Sequence, residues 1–564
     1  MNQLSGAEAM VRMLDLFETR YLFGLCGDTS LPFYDALHRL DHRITHILTR
    51  DERSAAYMAD GYARVSGRVG VCEGPSGGGA TYILPGVVEA NESSVPLLAI
   101  TTDISTTGRG RYTLTELDQE ALFRPLTKWN RVIDSASRLP AAVRTAFTRM
   151  TSGRPGAVHL GLPLDVQRQP VEESEIWGDA SLARCPSRRV APDPQAVHAA
   201  AELLAKAERP VIVCGGGPLI SGAEPELRAL AEVLEAPVAT SISGQGAIPE
   251  DHPLALGVVG SNGGTPETRE ILGQADVVVF LGCRAGSVTT ERWRYPARDG
   301  AKIIHIDVDP AVIGANYPTA VGIVADAQLA LRQLKEAVLR PLPDPPEREL
   351  GRAAVARIRD AKFAAFRELA ASDAAPIRPE RVVHELQQLL PRDTVIVADP
   401  GTPCPYLSAY YQVLEPGRRL FSNRAHGALG YSLAAAMGAC HARPGERVLS
   451  VMGDGSFGFA VGELETAVRL HLPLTMVVFS NATYGWIKAG QKSSFDQRYF
   501  SVDFSRTEHA RVAEAYGIPA WRVENPGELR DSLARALECD GPSLVDVVCQ
   551  PLHEARAPVS EWIA

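Results

Sequence analysis

Apolar runs of strand length, most of them ending in Gly, Asp or Asn and followed by an amphipathic stretch, recur along the whole chain. Val/Ile/Leu-rich runs without polar alternation belong to strands covered on both faces, and strands separated by helices pair in parallel. A first group holds YLFGLCGD (21–28), VGVCEGPSGGG (69–79), VPLLAITTD (95–103) and AVHLGLPLD (157–165). A second holds PVIVCGGGP (210–218), ADVVVFLGC (275–283) and KIIHIDVDP (302–310). A third holds DTVIVADPG (393–401), ERVLSVMGDG (446–455), LPLTMVVFSN (472–481) and PSLVDVVC (542–549). The pattern predicts an α/β protein of three doubly wound parallel-sheet domains, over residues 1–170, 190–338 and 375–564. Residues 169–195, charged and without a period, and the proline-dense residues 338–350 read as linkers.

Composition narrows the function. A chain of 564 residues is long enough for three or four domains, each with its own core. Lys plus Arg number 57 against 67 Asp plus Glu, a formal charge of −10, and no block of like charge stands out. Nucleic-acid and anionic-membrane binders carry a basic face, so neither partner is expected. Nine scattered cysteines without a C-x-x-C pair argue against a disulfide framework and a zinc site. No apolar run approaches the ~18–20 residues of a membrane span. The first twenty residues spread their charges and lack a signal-type apolar core. These features predict a reduced, cytoplasmic protein.

Ligands of open parallel sheets bind beyond the carboxyl ends of the strands. The richest such place is ERVLSVMGDGSFGFAVGELETAVRLHLPLTMVVFSNATYGW (446–486). A strand runs into Gly453, Asp454, Gly455 and Ser456; a helix follows; a second strand runs into Asn481. The two strands of one βαβ unit are parallel, so Asp454 and Asn481 share one end of the sheet. A carboxylate and an amide oxygen there suit Mg²⁺, which keeps the rest of its shell for water and substrate phosphates. Gly453 and Gly455 let the backbone approach a bulky anion, and Ser456 adds a hydroxyl donor.

This unit resembles the signature of thiamine-diphosphate-dependent enzymes, which starts at Gly-Asp-Gly and ends in Asn after the next strand. The resemblance implies Mg²⁺ held by side-chain oxygens of Asp454 and Asn481 and by the Thr483 carbonyl, with Gly453, Gly455, Ser456, Tyr484 and Gly485 around the cofactor. Where the family often has Asn-Asn, this chain has Ser480-Asn481; the ligand matches the second position. Read from the residues alone, Glu52 in LTRDERSAAYMADGYARVSGR (48–68) is an acid in the first turn of a helix, favoured by the macrodipole. The stretch is also similar to the family's R-H-E-x-x-A-x-x-M-A-D-G-Y-A-R segment, whose Glu protonates N1′ of the aminopyrimidine. Glu52 then has that role, and Asp51 replaces the usual His.

Further matches cover nearly the whole chain. They imply an active-site Gln119 in TELDQEALFRPLTKWN (115–130) and diphosphate contacts from Gly401 and Thr402. Leu429, in NRAHGALGYSLAAAMGA (423–439), matches the apolar wedge under the thiazolium. His426 in the same stretch either moves protons near neutral pH or serves structure alone. The C-terminal tail, PLHEARAPVSEWIA, either folds over the active site or ends frayed.

CGGGPLISGA (214–223) looks like a dinucleotide fingerprint without a clear acidic partner. In relatives the central domain is empty, or holds FAD, ADP or the nucleotide of coenzyme A. Arg284 matches an arginine of the FAD-contact regions. The implied reaction makes or breaks a C–C bond beside a carbonyl of a small-molecule substrate. The closest resemblance is to acetolactate synthases, acting on a 2-oxo acid such as pyruvate. Their acceptor-pocket Trp falls near Gly490, whereas this chain has Trp486. A 2-hydroxyacyl-CoA lyase or oxalyl-CoA-decarboxylase-like enzyme, a simple 2-oxo-acid decarboxylase and a non-catalytic binding relative are the alternatives. The family further implies a homodimer or homotetramer with active sites at the subunit interface.

Overall fold

Three six-stranded sheets, parallel throughout, carry the architecture of the computed structural model, which describes residues 3–339 and 351–562. The proline-dense linker, apart from residues 338 and 339, lies outside the described residues. The first sheet runs Thr45–Leu48, Tyr21–Gly24, Gly70–Gly74, Leu97–Asp103, Ala157–Pro163, Trp129–Val132 from edge to edge. The third runs Leu420–Ser422, Val395–Ala398, Val448–Gly453, Leu474–Ser480, Ser543–Val548, Ala520–Val523, the same order by sequence rank. The central sheet runs Ala255–Val258, Val238–Thr240, Pro210–Cys214, Val277–Leu281, Lys302–Asp307, Thr319–Val324, so its first strand lies inside and the order reverses beside it. Each sheet has a switch point, where crossovers leave to opposite sides and a crevice opens at the carboxyl ends. These sheets are the three doubly wound domains expected from the apolar runs.

By contacts the described chain forms two compact units. One comprises Met1–Arg188, Asn423–Glu446 and Ala460–Pro473 and contains the first sheet. The other comprises Arg189–Ser422, Arg447–Phe459 and Leu474–Ala564 and contains the other two. Two stretches of the expected C-terminal domain therefore pack with the N-terminal one. The reason is the helix Tyr431–Ala442, YSLAAAMGACHA, buried almost all round by small residues. It lies so close along the helix Glu52–Ser66 that a Cβ on Gly61 would sit 2.1 Å from the Ala435 carbonyl oxygen. A Cβ on Gly438 would sit 1.9 Å from that of Met58. Buried charge ties the same pair: Arg64 bonds Asp60 and Glu89, and the Tyr431 hydroxyl donates to Asp60. A buried ion set of this kind needs every partner present, which fixes the register of the two helices.

The segment read as a linker over 169–195 is instead tied down. Pro170–Glu172 pairs antiparallel with Gln3–Ser5, and Val171 and Leu182 are buried in the core of the first sheet. No helix among the described residues is long and apolar enough to cross a membrane.

Candidate active site

In the second unit, Val448–Gly453 and Leu474–Ser480 are adjacent parallel strands, and the switch point of their sheet lies on the other side of Val448–Gly453, against Val395–Ala398. Their ends deliver Asp454 and Asn481 side by side. Asp454 is buried, and its carboxylate accepts the backbone N–H groups of Gly455 at 2.9 Å, Asn481 at 2.8 Å and Ala482 at 2.6 Å. Burial raises its proton affinity, and the three amide donors oppose the rise. The side-chain oxygen and nitrogen of Asn481 are both buried without a hydrogen-bond partner among the described residues. A native fold rarely leaves a buried amide unbonded, so such a group marks a place for a ligand. Asn481 is followed by Ala482 in the left-handed region at φ 55°. Thr483 is buried and its hydroxyl donates to the Val502 carbonyl at 3.0 Å. The oxygens available are one carboxylate, one amide and one backbone carbonyl, a set that suits a hard cation which keeps water and phosphate.

The surroundings fit a bulky anion beside that cation. Gly401 has φ +114°, a conformation reserved for glycine, and a Cβ built on it or on Gly453 meets nothing within 4 Å. Thr402 and Ser456 are buried hydroxyl residues beside these glycines, and a Cβ on Gly485 would lie 3.2 Å from the Thr402 hydroxyl. Gly455 is walled in: its Cβ would lie 2.8 Å from Cε1 of Tyr484, whose ring meets Phe504 edge-on at 5.2 Å. Ser480, where the family often has Asn, joins a buried set next to Asn481. Its hydroxyl bonds His509 Nδ1 at 3.0 Å and Asp546, which also pairs with Arg522.

In the first unit, Glu52 opens the helix Glu52–Ser66, and Asp51 caps that helix by accepting the Arg53 N–H at 2.7 Å. The residue that stands where the family has His is thus a helix cap. Glu52 is buried against the glycine loop after the strand Gly70–Gly74. A Cβ on Gly79 would lie 3.2 Å from Glu52 Oε1, and one on Gly74 3.4 Å from its Cγ. Desolvation raises its proton affinity, with Asp51 adding to the rise. Gln119 is buried, and both ends of its amide are engaged, with the Thr101 hydroxyl at 2.5 Å and the Thr102 carbonyl at 2.9 Å. His426 is exposed; its backbone N–H donates to Glu89 at 2.7 Å, which holds the loop that carries Leu429, a half-buried residue.

A second acid in this unit escaped the reading of the sequence. Glu73 is fully buried and bonds the hydroxyls of Ser30 at 2.5 Å and Tyr34 at 2.8 Å. An acidic residue inside the apolar run VGVCEG was the available signal.

The glycine run of the central domain is required by packing. A Cβ on Gly215 would lie 2.1 Å from the Gly282 carbonyl oxygen, and one on Gly217 2.6 Å from Gly282 Cα. The C-terminal tail is not frayed as far as it is described. The Gly263 N–H donates to the Pro558 carbonyl at 2.9 Å, the Ser560 N–H to that of Ser261 at 3.0 Å, and Trp562 meets Trp486 at 5.1 Å.

Comparison with known proteins gives the same three divisions. Residues 4–122 match the thiamine pyrophosphate enzyme N-terminal TPP binding domain, 197–334 the central domain and 399–547 the C-terminal TPP binding domain. The chain is 37% identical over 560 residues to a probable acetolactate synthase large subunit of Methanococcus aeolicus, covering 97% of this chain and 92% of that one. It is 32% identical over 545 residues to the acetolactate synthase isozyme 3 large subunit of Escherichia coli K12, with 95% and 93% covered. An acetolactate synthase of Mycobacterium bovis is 32% identical over 557 residues, with 97% and 88% covered.

Proposed function

The chain belongs to the thiamine pyrophosphate enzyme family, together with acetolactate synthase large subunits, and from there we propose that it is a carboligase using thiamine diphosphate and Mg²⁺. Its substrate in this reading is a 2-oxo acid such as pyruvate, decarboxylated and joined to a second carbonyl compound to give acetolactate, the product in the relatives' names. The observation that carries the reading is the buried, unbonded Asn481 amide beside Asp454 at the carboxyl ends of two neighbouring parallel strands.

When bound, the cofactor supplies a nucleophilic carbon that doubles as an electron sink. The protein's own groups do the rest. Asp454, Asn481 and the Thr483 carbonyl hold the cation. Ser456, Thr402, Gly401, Gly453 and Gly455 cradle the diphosphate, with Tyr484 and Gly485 closing that side. Glu52, in a dry pocket that favours its protonated form, gives and retakes a proton at its carboxyl. Leu429 supplies an apolar support, and in this reading Gln119 and His426 belong to the catalytic end of the site.

Domain limits of 1–170, 190–338 and 375–564, with 423–446 and 460–473 packing apart, belong to this reading. So does a homodimer or homotetramer, which sedimentation equilibrium of the full chain tests. None of the nine cysteines is joined in a disulfide among the described residues, which suits a reducing compartment, and we assign the chain to the cytoplasm. An empty site, FAD, ADP or a CoA nucleotide are the readings for the central domain; an absorbance spectrum of the purified protein reads FAD directly.

The test is to supply thiamine diphosphate, Mg²⁺ and pyruvate, quench in acid and resolve products by proton NMR. Acetolactate is the expected product. Acetaldehyde alone would make it a simple decarboxylase, and unchanged pyruvate would remove pyruvate from the reading. Failure of the cofactor to bind by calorimetry would overturn the reading as a whole.

A further inference from the structure

Glu73 is an acid that the chemistry above leaves without a role. It lies at the carboxyl end of Gly70–Gly74, opposite Gly24 of the neighbouring strand, where the order of the first sheet reverses. No cationic side chain is hydrogen-bonded to it among the described residues. Its partners are hydroxyls: Ser30 Oγ on Oε1 at 2.5 Å and the Tyr34 hydroxyl on Oε2 at 2.8 Å. The Tyr34 oxygen is also 2.9 Å from Nε2 of His46, a half-buried residue of the edge strand Thr45–Leu48. A continuous hydrogen-bonded path therefore runs from a partly exposed imidazole, through a phenol, to a buried carboxyl.

That path ends within reach of the Glu52 charge. Gly74, next to Glu73, is one of the two glycines that line the Glu52 side chain. The groups facing Glu73 are Tyr34, Ser30, Cys26 and Glu52; those facing His46 are Tyr34 and Arg469. None of the groups around Glu73 is a cation. Burial and the Glu52 charge both keep a proton on Glu73, pushing it up to about 8, while burial and Arg469 keep His46 neutral, down to about 4. A neutral acid linked to a neutral imidazole by one hydroxyl can pass protons without stranding a charge in the interior.

We propose that His46, Tyr34 and Glu73 form a proton relay that resupplies Glu52 from solvent, an inference that rests on the role given to Glu52 above. Each passage moves one proton. His46 takes a solvent proton at Nδ1 and gives up the one on Nε2 to the Tyr34 oxygen. Tyr34 gives its hydroxyl proton to Glu73, and Glu73 gives its carboxyl proton through water to the Glu52 carboxylate. The path resets when the Tyr34 hydroxyl turns back toward Glu73 and water returns the neutral imidazole to its Nε2–H tautomer, one proton leaving Nδ1 as another joins Nε2. His46, Tyr34 and Glu73 act through Glu52 and are positioning residues.

Two measurements test this. The first needs no cofactor: the infrared spectrum of the apo protein minus that of Glu73→Gln at neutral pH. A protonated carboxylic-acid carbonyl band, lost in the variant, is expected; an ionised carboxylate pair in its place would overturn the relay. The second follows deuterium exchange at the thiazolium C2 of bound thiamine diphosphate by quenched NMR. Tyr34→Phe keeps the ring that meets His46 edge-on at 4.9 Å but removes the bridge. It is expected to slow exchange about 10²-fold, the size of one acid–base contribution, with cofactor affinity unchanged. Full-speed exchange in Tyr34→Phe, with exchange lost in Glu52→Gln, overturns the relay and leaves the family chemistry standing. Full-speed exchange in Glu52→Gln overturns the role of Glu52 and the relay with it. If Glu73→Gln does not fold, Tyr34→Phe decides.

Discussion

Oδ2 of Asp454 accepts the backbone N–H of Asn481 at 2.8 Å, so one carboxylate joins the ends of two neighbouring strands and leaves the Asn481 side chain unbonded beside it. The two residues share a site but carry different loads. Asp454 satisfies three backbone donors. Asn481 satisfies none with its amide.

Substitution separates these loads. Asp454→Ala strands buried N–H groups and is expected to lose about 2–4 kcal/mol of stability along with cation-dependent cofactor binding. Asn481→Ala removes an unbonded buried amide. Its stability is expected to stay within about 0.5 kcal/mol of the parent, or to rise, while cation-dependent binding is lost. Urea unfolding and calorimetric titration of thiamine diphosphate with Mg²⁺ read the two quantities. Equal destabilisation in both variants would mean that Asn481 is structural.

Gly455 tests the anion side of the same place. A Cβ there would lie 2.8 Å from the Tyr484 ring, and Tyr484 is partly exposed, so the ring can yield. Gly455→Ala is therefore expected to fold with a melting temperature near the parent's while losing affinity for thiamine diphosphate by about tenfold, a cost of about 1.4 kcal/mol. Pairing the change with Tyr484→Ala is expected to restore part of that loss, which a titration of the double variant measures.

The helix pair of the first unit has no such slack. Gly61 and Gly438 face backbone carbonyls at 2.1 and 1.9 Å from where a Cβ would be. Backbone cannot turn aside as a ring can. Gly61→Ala and Gly438→Ala are each expected to lose about 3 kcal/mol or more, at the upper end of overpacking. The double variant is expected to lose less than the sum, because one separation of the helices relieves both clashes. Denaturant midpoints of the three variants check this.

The apolar runs made the three sheets legible, because strands buried on both faces cannot alternate polar and apolar residues. Asp454 and Asn481 were legible for the same reason: the ends of adjacent parallel strands must meet. Packing across long sequence separations was not. Nothing in YSLAAAMGACHA says which helix its small residues will face, and it packs against Glu52–Ser66. Glu73 was missed because its neighbours Ser30, Tyr34 and His46 come from three other places in the chain. Asp51 read as a lost family residue until the fold showed it capping the helix.

Two buried groups of the first unit are expected to give stability profiles of opposite slope. His159 is buried, stacked on Phe123 at 3.6 Å and bonded to the Thr101 hydroxyl, and burial lowers it from 6.5 to about 3. Between those values the unfolded chain binds the proton and the folded one does not, so acid costs the folded state roughly 1.4 kcal/mol per pH unit. Glu73 is raised from 4.5 to about 8. Between those values the folded chain holds the proton, so alkali costs the folded state at a similar rate. The advantage of the parent over His159→Gln is therefore expected to shrink as pH falls from 6.5 to 5. Its advantage over Glu73→Gln is expected to shrink as pH rises from 5 to 8. Comparing each variant with the parent cancels every other titrating group common to both. Urea unfolding of the three proteins at pH 5, 6.5 and 8 measures the two slopes. Parallel slopes would mean that one of these groups is not held in the protonation state its burial imposes.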